Sequence, residues 1–378
     1  MNSSIGYIGK GGSFGGRMWR GEASIPVAIK SIAVGNKFPS GFAFDRFEEE
    51  LNNVVNVLDK EYIVKQYGIR SNDSNIYQSM EIMDESLELF DIVHILNELH
   101  DRDKICKNLK PSNIFVQNGR AKLDPGAATS IQSFKPWLAP EERLKDDEKR
   151  LAQVEERGTC ADMFRLGMLL YFCLTGGEVI FEKPEFSHSS SIIPKANYEA
   201  IPLIESLMSE NFKERPSAKD VLRHPLFWPS QRRLEFLEIS GEMCQAHEDF
   251  RRIVDEILPC WKSADDWTTI VDESFIRDME NYEGKKKGAK LMKPKGTPSS
   301  CLRLIQTLND QLASMSDETE DILKGYASGM LSPDTYSVRM MYGLEKYFAV
   351  KFPQLLWLVW DALRESDYND SEIMSCYF

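Results

Sequence analysis

The stretch Cys106-Lys107-Asn108-Leu109-Lys110-Pro111-Ser112-Asn113-Ile114-Phe115-Val116, followed by Leu123-Asp124-Pro125-Gly126, decides how the rest of the chain is read. It combines a cation (Lys110), an amide (Asn113) and a carboxylate (Asp124), while position 108 holds an amide that cannot take up a proton. Toward the N-terminus, Ile8-Gly9-Lys10-Gly11-Gly12-Ser13-Phe14-Gly15-Gly16 reads as a turn over phosphate, because glycine lets backbone N–H groups approach phosphate oxygens with no Cβ in the way. Taken alone, a plain glycine hairpin is the better reading of that stretch. Val27-Ala28-Ile29-Lys30 comes next, then a helical signal over residues 47–58 that contains Glu50, then strand-like runs at 62–68 and 76–83. Toward the C-terminus the chain carries Trp137-Leu138-Ala139-Pro140-Glu141, Ala161-Asp162-Met163-Phe164-Arg165-Leu166-Gly167, Arg215-Pro216-Ser217-Ala218 and His224-Pro225-Leu226-Phe227-Trp228.

Composition narrows the possibilities. At 378 residues, 42% of them apolar, the chain has room for two or three domains with real cores. A net charge of −13 removes non-specific attraction to nucleic acid as a default. Seven cysteines, none in CxxC spacing, read as free thiols of a reducing compartment, and five histidines show no paired metal-binding spacing. No charged-then-apolar leader opens the chain, so no signal peptide is expected. The most apolar run, 166–174, is far short of the roughly 20 residues a membrane span needs.

In their order, these motifs resemble the protein-kinase series of glycine loop, VAIK strand, catalytic loop, metal-binding turn and APE element. The resemblance implies a nucleotide site built from Gly9, Gly11, Gly12, Gly15, Lys30, Glu50, the gatekeeper Met80 and the hinge residues Glu81 and Met83. It makes Lys110 a phosphate contact and Asn113 and Asp124 the ligands of Mg²⁺, which is satisfied by few protein oxygens because it keeps several waters. It also makes Asp162 the brace of the catalytic loop and Arg215 the partner of Glu141. Departures fall on the chemistry. Asn108 stands where the catalytic Asp belongs, and losing a positioned base costs on the order of 10²–10⁴ in rate. Cys106 and Lys107 replace His-Arg, and Pro125 replaces the Phe of DFG, fixing φ and deleting an N–H. Thr129, Ser130 and Ser133 are the phosphorylation candidates of a short activation segment, though ordinary polar loop residues are the better reading.

Past Trp228, helical spacing continues through 233–245, 250–258, the stripe Cys301, Leu304, Ile305, Leu308, Leu312, and the stripe Leu355, Leu356, Val359, Trp360, Leu363. Asp317 to Asp321 reads as an acidic helix start. The HPLFW junction, Asp266-Trp267 and Phe352-Pro353-Gln354-Leu355-Leu356 resemble the kinase-extension nuclease module of the unfolded-protein-response sensor kinase/endoribonucleases, shared with RNase L. That family cuts RNA without metal, using an Arg-Asn pair and a His on one helix and a Tyr from the preceding loop. At the matching positions this chain has Gln306, Thr307 and Gln311, and no histidine occurs beyond His247. Tyr282 is the nearest tyrosine. Losing acid–base and electrostatic groups together amounts to about 5–9 kcal/mol of barrier if they act independently. Lys285, Lys286, Lys287, Lys290, Lys293 and Lys295 form the one strongly basic stretch. It is open to three readings: an RNA-contacting arm, a nuclear-import signal or a solvated loop.

The expectation is therefore an α+β, bilobal protein-kinase fold (1–83 and 84–229) followed by an all-α nuclease-like domain (230–378). Its function would be that of an ATP- or ADP- and Mg²⁺-binding pseudokinase with a degenerate ribonuclease module. It would act as a homodimer or as a heterodimer with an active paralogue, in the cytoplasm or, as part of a longer receptor, at the cytosolic face of the endoplasmic reticulum. The alternative is an active serine/threonine kinase and metal-independent endoribonuclease using substitute residues.

Overall fold

The structure is a computed structural model that describes residues 6–7, 13–20, 23–33, 49, 64, 66–71, 75–80, 89–117, 120–124, 137–143, 154–175, 199–257, 267–285, 296–329 and 335–378. It divides into two compact units, 1–193 with 202–222, and 194–201 with 223–378.

In the first unit, β1 (Gly6–Tyr7), β2 (Ser13–Arg20), β3 (Ala23–Ala33), β4 (Gln66–Ser71) and β5 (Asn75–Met80) form an antiparallel sheet in the order β1-β2-β3-β5-β4. Alternating Ile25, Val27 and Ile29 make β3 a natural strand, since branched side chains pack well on a pleated surface. Gly15 pairs with Ala28 and Ala28 with Met80, while Ser13 pairs with Lys30 and Lys30 with Gln78. These two rows lie two residues apart, so Gly15, Lys30 and Met80 occupy register positions on one face of the sheet.

The helical part of this unit is built on α1 (Leu89–His100), whose Ile92, Val93, Ile95, Leu96 and Leu99 are fully buried at helical spacing. A hairpin of β6 (Ile114–Gln117) and β7 (Arg120–Leu123) follows. Buried Asp91 of α1 ties that hairpin down, accepting from Ala121 N at 2.8 Å and pairing with Arg120 at 3.0 Å. Then come α2 (Pro140–Arg143), α3 (Val154–Leu174), α4 (Ala200–Leu207, of which residues 202–207 belong to this unit) and α5 (Ala218–Leu222). From Ala161 to Tyr171 α3 is buried on every side, as expected of a helix through a core.

The second unit is helical throughout its described residues: α6 (Ser230–Ala246), α7 (Glu248–Asp255), α8 (Glu273–Lys285), α9 (Pro298–Asp310), α10 (Asp317–Tyr326), α11 (Tyr336–Lys351) and α12 (Leu355–Arg364). Its core joins Leu234, Phe236 and Leu237 to Trp267, Phe275, the α9 stripe, Tyr347, Phe348 and the α12 stripe. The Phe-Pro-x-Leu-Leu motif is a packed corner: Phe352 is buried, Leu355 N donates to Phe352 O at 3.0 Å, and Leu355 and Leu356 are buried. Ser316 caps α10 by accepting from Thr319 N, ahead of the acidic first turn anticipated there. Among the described residues, no helix is long and apolar enough to cross a membrane. Together the chain is α+β, mostly helical with a small sheet, in keeping with a kinase-like fold.

Candidate functional site

The loop from Cys106 to Asn113 leads from α1 into the β6–β7 hairpin. Because Ile114 pairs with Leu123, the residues just outside that pair, Asn113 and Asp124, come opposite one another, and Asp124 N donates to Asn113 O at 2.8 Å. Asp124 is fully buried and Asn113 nearly so. Pro111–Asn113 is one 3₁₀ turn, started by proline and capped by half-buried Lys110, whose carbonyl accepts from Asn113 N at 2.9 Å. Buried Asn108 accepts from Asn113 Nδ2 through its backbone carbonyl at 2.8 Å. With the amide nitrogen committed inside the loop, Oδ1 is the Asn113 atom with the chemistry to meet a cation.

Backbone strain and buried acids hold this arrangement. Lys107 has φ 49°, a left-handed conformation disfavoured in a non-glycine residue, and the turn around it is closed by Asn108 N donating to Cys106 O. Asp162, fully buried on α3, accepts from Cys106 N at 2.6 Å, meets His100 Nε2 at 3.2 Å, and accepts from Arg165 Nη1 at 3.2 Å. Arg215 makes a two-pronged pair with Glu141 at 2.7 and 2.9 Å, and it also donates to the carbonyls of Cys160 and Ser209. So Asp162 does brace the loop, and Arg215 does meet the APE glutamate. Burial pushes the Cys106 thiol well above its ordinary pKa, leaving it a packing residue rather than a nucleophile.

Sequence reasoning passed over Arg165 and Glu142. Glu142 takes the Arg165 guanidinium on both oxygens, at 2.5 and 2.7 Å. The signal was present, since an arginine inside an apolar helix must find a carboxylate once buried.

Of the expected nucleotide-binding residues, Gly15, Lys30 and Met80 have their backbones placed in the sheet. Gly9, Gly11, Gly12, Glu50, Glu81 and Met83 lie outside the described residues, as do Pro125, Gly126, Thr129, Ser130 and Ser133. Among the described residues, no group of three or more His, Cys, Asp or Glu could hold a metal ion. A cation at Asn113 and Asp124 therefore needs its remaining ligands from phosphate and water.

On the second unit, α9 carries the nuclease-equivalent positions. Proline opens the helix, and Asp255 accepts from Ser299 N and Ser299 Oγ, each at 3.0 Å. Half-buried Gln306 accepts from Gln245 Nε2 at 2.5 Å. Thr307 is buried, and Gln311, just past the helix end, is buried with its Nε2 lacking a hydrogen-bond partner. Asn309, one turn from Gln306, donates to Glu238 Oε2 at 2.8 Å. Burial lifts the Glu238 carboxyl above its ordinary pKa, and Asp310, Glu242 and Glu235 lift it further. Half-buried Tyr282 lies on α8. Lys285 ends α8, and Lys286, Lys287, Lys290, Lys293 and Lys295 lie outside the described residues.

The fold and this loop are in keeping with a kinase-like α+β protein that carries a helical second unit. No family model matches the chain. Its curated homologues include IRE1 serine/threonine-protein kinase/endoribonucleases, the family its motifs resemble. The IRE1 of Oryza sativa subsp. japonica is 23% identical over 442 residues, covering 98% of this chain and 44% of that protein. The probable serine/threonine-protein kinase irlA of Dictyostelium discoideum is 22% identical over 346 residues, 81% of this chain and 23% of its own length. An Arabidopsis thaliana protein described as an inactive serine/threonine-protein kinase/endoribonuclease IRE1-like is 27% identical over 220 residues, 50% of this chain and 38% of its own. The chain thus spans less than half the length of each of these curated relatives.

Proposed function

We propose that this chain is a nucleotide-binding pseudokinase with a degenerate ribonuclease module, regulating RNA cleavage or signalling through dimerisation. One observation carries the reading: the loop keeps Asn113 opposite Asp124, yet the residue that should accept a substrate proton is Asn108, buried and built into the loop through its carbonyl. Asn113 and Asp124 would hold Mg²⁺ on ATP or ADP, with Lys110 and Lys30 toward the phosphates. The bound ion would neutralise phosphate charge; the chain itself supplies orientation, without a base at 108. Neither Gln306 on α9 nor Gln311 just past it can move a proton near neutral pH, and Asp310 beside Glu235, Glu238 and Glu242 of α6 would repel an RNA phosphodiester. A relative described as inactive supports the same conclusion.

The test is Mg·ATP binding by the chain. Ligand at a hundredfold over Kd should stabilise it by about 2.7 kcal/mol. Asp124→Ala and Lys30→Met should each abolish the shift. Radiolabelled ATP should give no autophosphorylation, and a stem-loop RNA should stay intact with or without chelator. Mixed with an active paralogue, the chain should form a heterodimer and lower its cleavage rate. Turnover lost on Asp124→Ala or Tyr282→Phe would replace this reading with an active enzyme.

A further inference from the structure

Arg165 is a charged group in a place that tolerates none alone. It is 2% exposed within the buried span of α3, where an uncompensated cation would be strongly destabilising. Two carboxylates compensate it: Glu142 through two hydrogen bonds at 2.5 and 2.7 Å, and Asp162 Oδ1 at 3.2 Å. The planar guanidinium fork suits this double engagement better than a lysine would.

The contacts continue from there. Asp162 Oδ2 accepts from Cys106 N at 2.6 Å, and Cys106 O accepts from Asn108 N. Asn108 O accepts from Asn113 Nδ2 at 2.8 Å, and Asn113 O accepts from Asp124 N at 2.8 Å. An unbroken chain of hydrogen bonds therefore runs from Glu142 on α2, through α3 and the strained turn at Lys107, to the residue pair at the hairpin. All members past Glu142 are buried, where such bonds are strengthened and leaving one unmade is costly.

We propose that Arg165 is a positioning residue for the nucleotide-and-metal site. Clasped by Glu142, it fixes the Asp162 carboxylate, which in turn holds the Cys106–Asn113 loop in the shape that sets Asn113 opposite Asp124. This rests on the nucleotide-binding reading of Asn113 and Asp124 given above. The turn is held from outside because Lys107 has no intrinsic preference for φ 49°; with Asp162 released, the loop relaxes. Metal ligation thereby depends on Glu142, a residue that would touch neither nucleotide nor metal.

Two variants of the full chain test this, Arg165→Met and the milder Glu142→Gln, which keeps a hydrogen-bonding side chain at a partly exposed position. Hydrogen exchange of peptides spanning 104–113 should quicken in both, with 89–100 unaffected in Glu142→Gln. Titration calorimetry of Glu142→Gln should show about a 10- to 100-fold loss of Mg·ADP affinity, the range typical of lost outer partners of a metal site. Affinity for ADP in excess chelator should change little; a merely structural lesion would lower both. Unchanged exchange at 104–113 in Glu142→Gln overturns the proposal, as does an equal loss of affinity with and without Mg²⁺. If the unaltered chain binds no Mg·ADP, the function proposed above fails, while the exchange measurement still decides what Arg165 holds.

Discussion

Two side chains show what single positions contribute. Gln311 is 6% exposed and its Nε2 has no partner, which for a buried donor costs on the order of 1–3 kcal/mol. Gln311→Met, of similar volume, should therefore raise stability by about 1 kcal/mol, read as a higher urea midpoint at constant slope. A lower midpoint would show that the amide is in use. His224 gives a pH effect. Its Nδ1 accepts from Leu226 N, its ring packs on Trp357 and Trp360, and its pKa is lowered to about 3 by burial, then by Arg364 and Arg233. The unfolded chain binds this proton more readily, so protonation favours unfolding. Its contribution is undiminished above the unfolded pKa near 6.5 and declines as pH falls toward 3. Stability measured at pH 7 and pH 5 should differ less in His224→Asn, which keeps the cap acceptor but does not titrate.

At the scale of elements, glycines separate close crossings from open surface. A Cβ on Gly241 of α6 would lie 2.8 Å from the carbonyl oxygen of Leu302 on α9, and backbone cannot yield as a side-chain end can. Gly325 of α10 has nothing within 4 Å of its Cβ position. Gly241→Ala should destabilise by roughly 1–3 kcal/mol through overpacking. Gly325→Ala should stabilise by about 0.5–1 kcal/mol through helix propensity and reduced unfolded-state entropy. Chemical denaturation of the two variants side by side checks both signs. Helices α6, α9 and α12 were legible because their apolar positions recur at helical spacing and are buried where the pattern places them. Helix α11 was passed over: its buried stripe runs through Gly343 and Tyr347, while Tyr336, Val338 and Val350 are exposed, so pattern and burial disagree.

At the scale of the molecule, ion pairs join segments remote in sequence. Arg233 on α6 bonds Glu199 at 2.5 Å and Glu345 on α11 at 2.9 Å, both carboxylates being buried, and it joins segments far apart in sequence. Arg233→Met would strand buried Glu199 and leave Glu345 only Lys346 at 3.3 Å, and should cost about 3–5 kcal/mol. The loss should be largely recovered when Glu199→Gln and Glu345→Gln are added, because removing both partners costs far less than removing one. A triple variant no more stable than Arg233→Met would show that the arginine acts through packing.

The motif residues, the Asn at 108, the glutamines on α9 and most helix stripes could be read from the chain, because each depends on residue type at short spacing. What required the folded molecule was pairing across distance: Arg165 with Glu142, Arg233 with Glu199 and Glu345, Gly241 against Leu302, and Asn113 opposite Asp124. Local propensity carries no information about which remote carboxylate will neutralise a buried cation. That choice is made when packing excludes water and leaves each charge only the partners that the fold brings within reach.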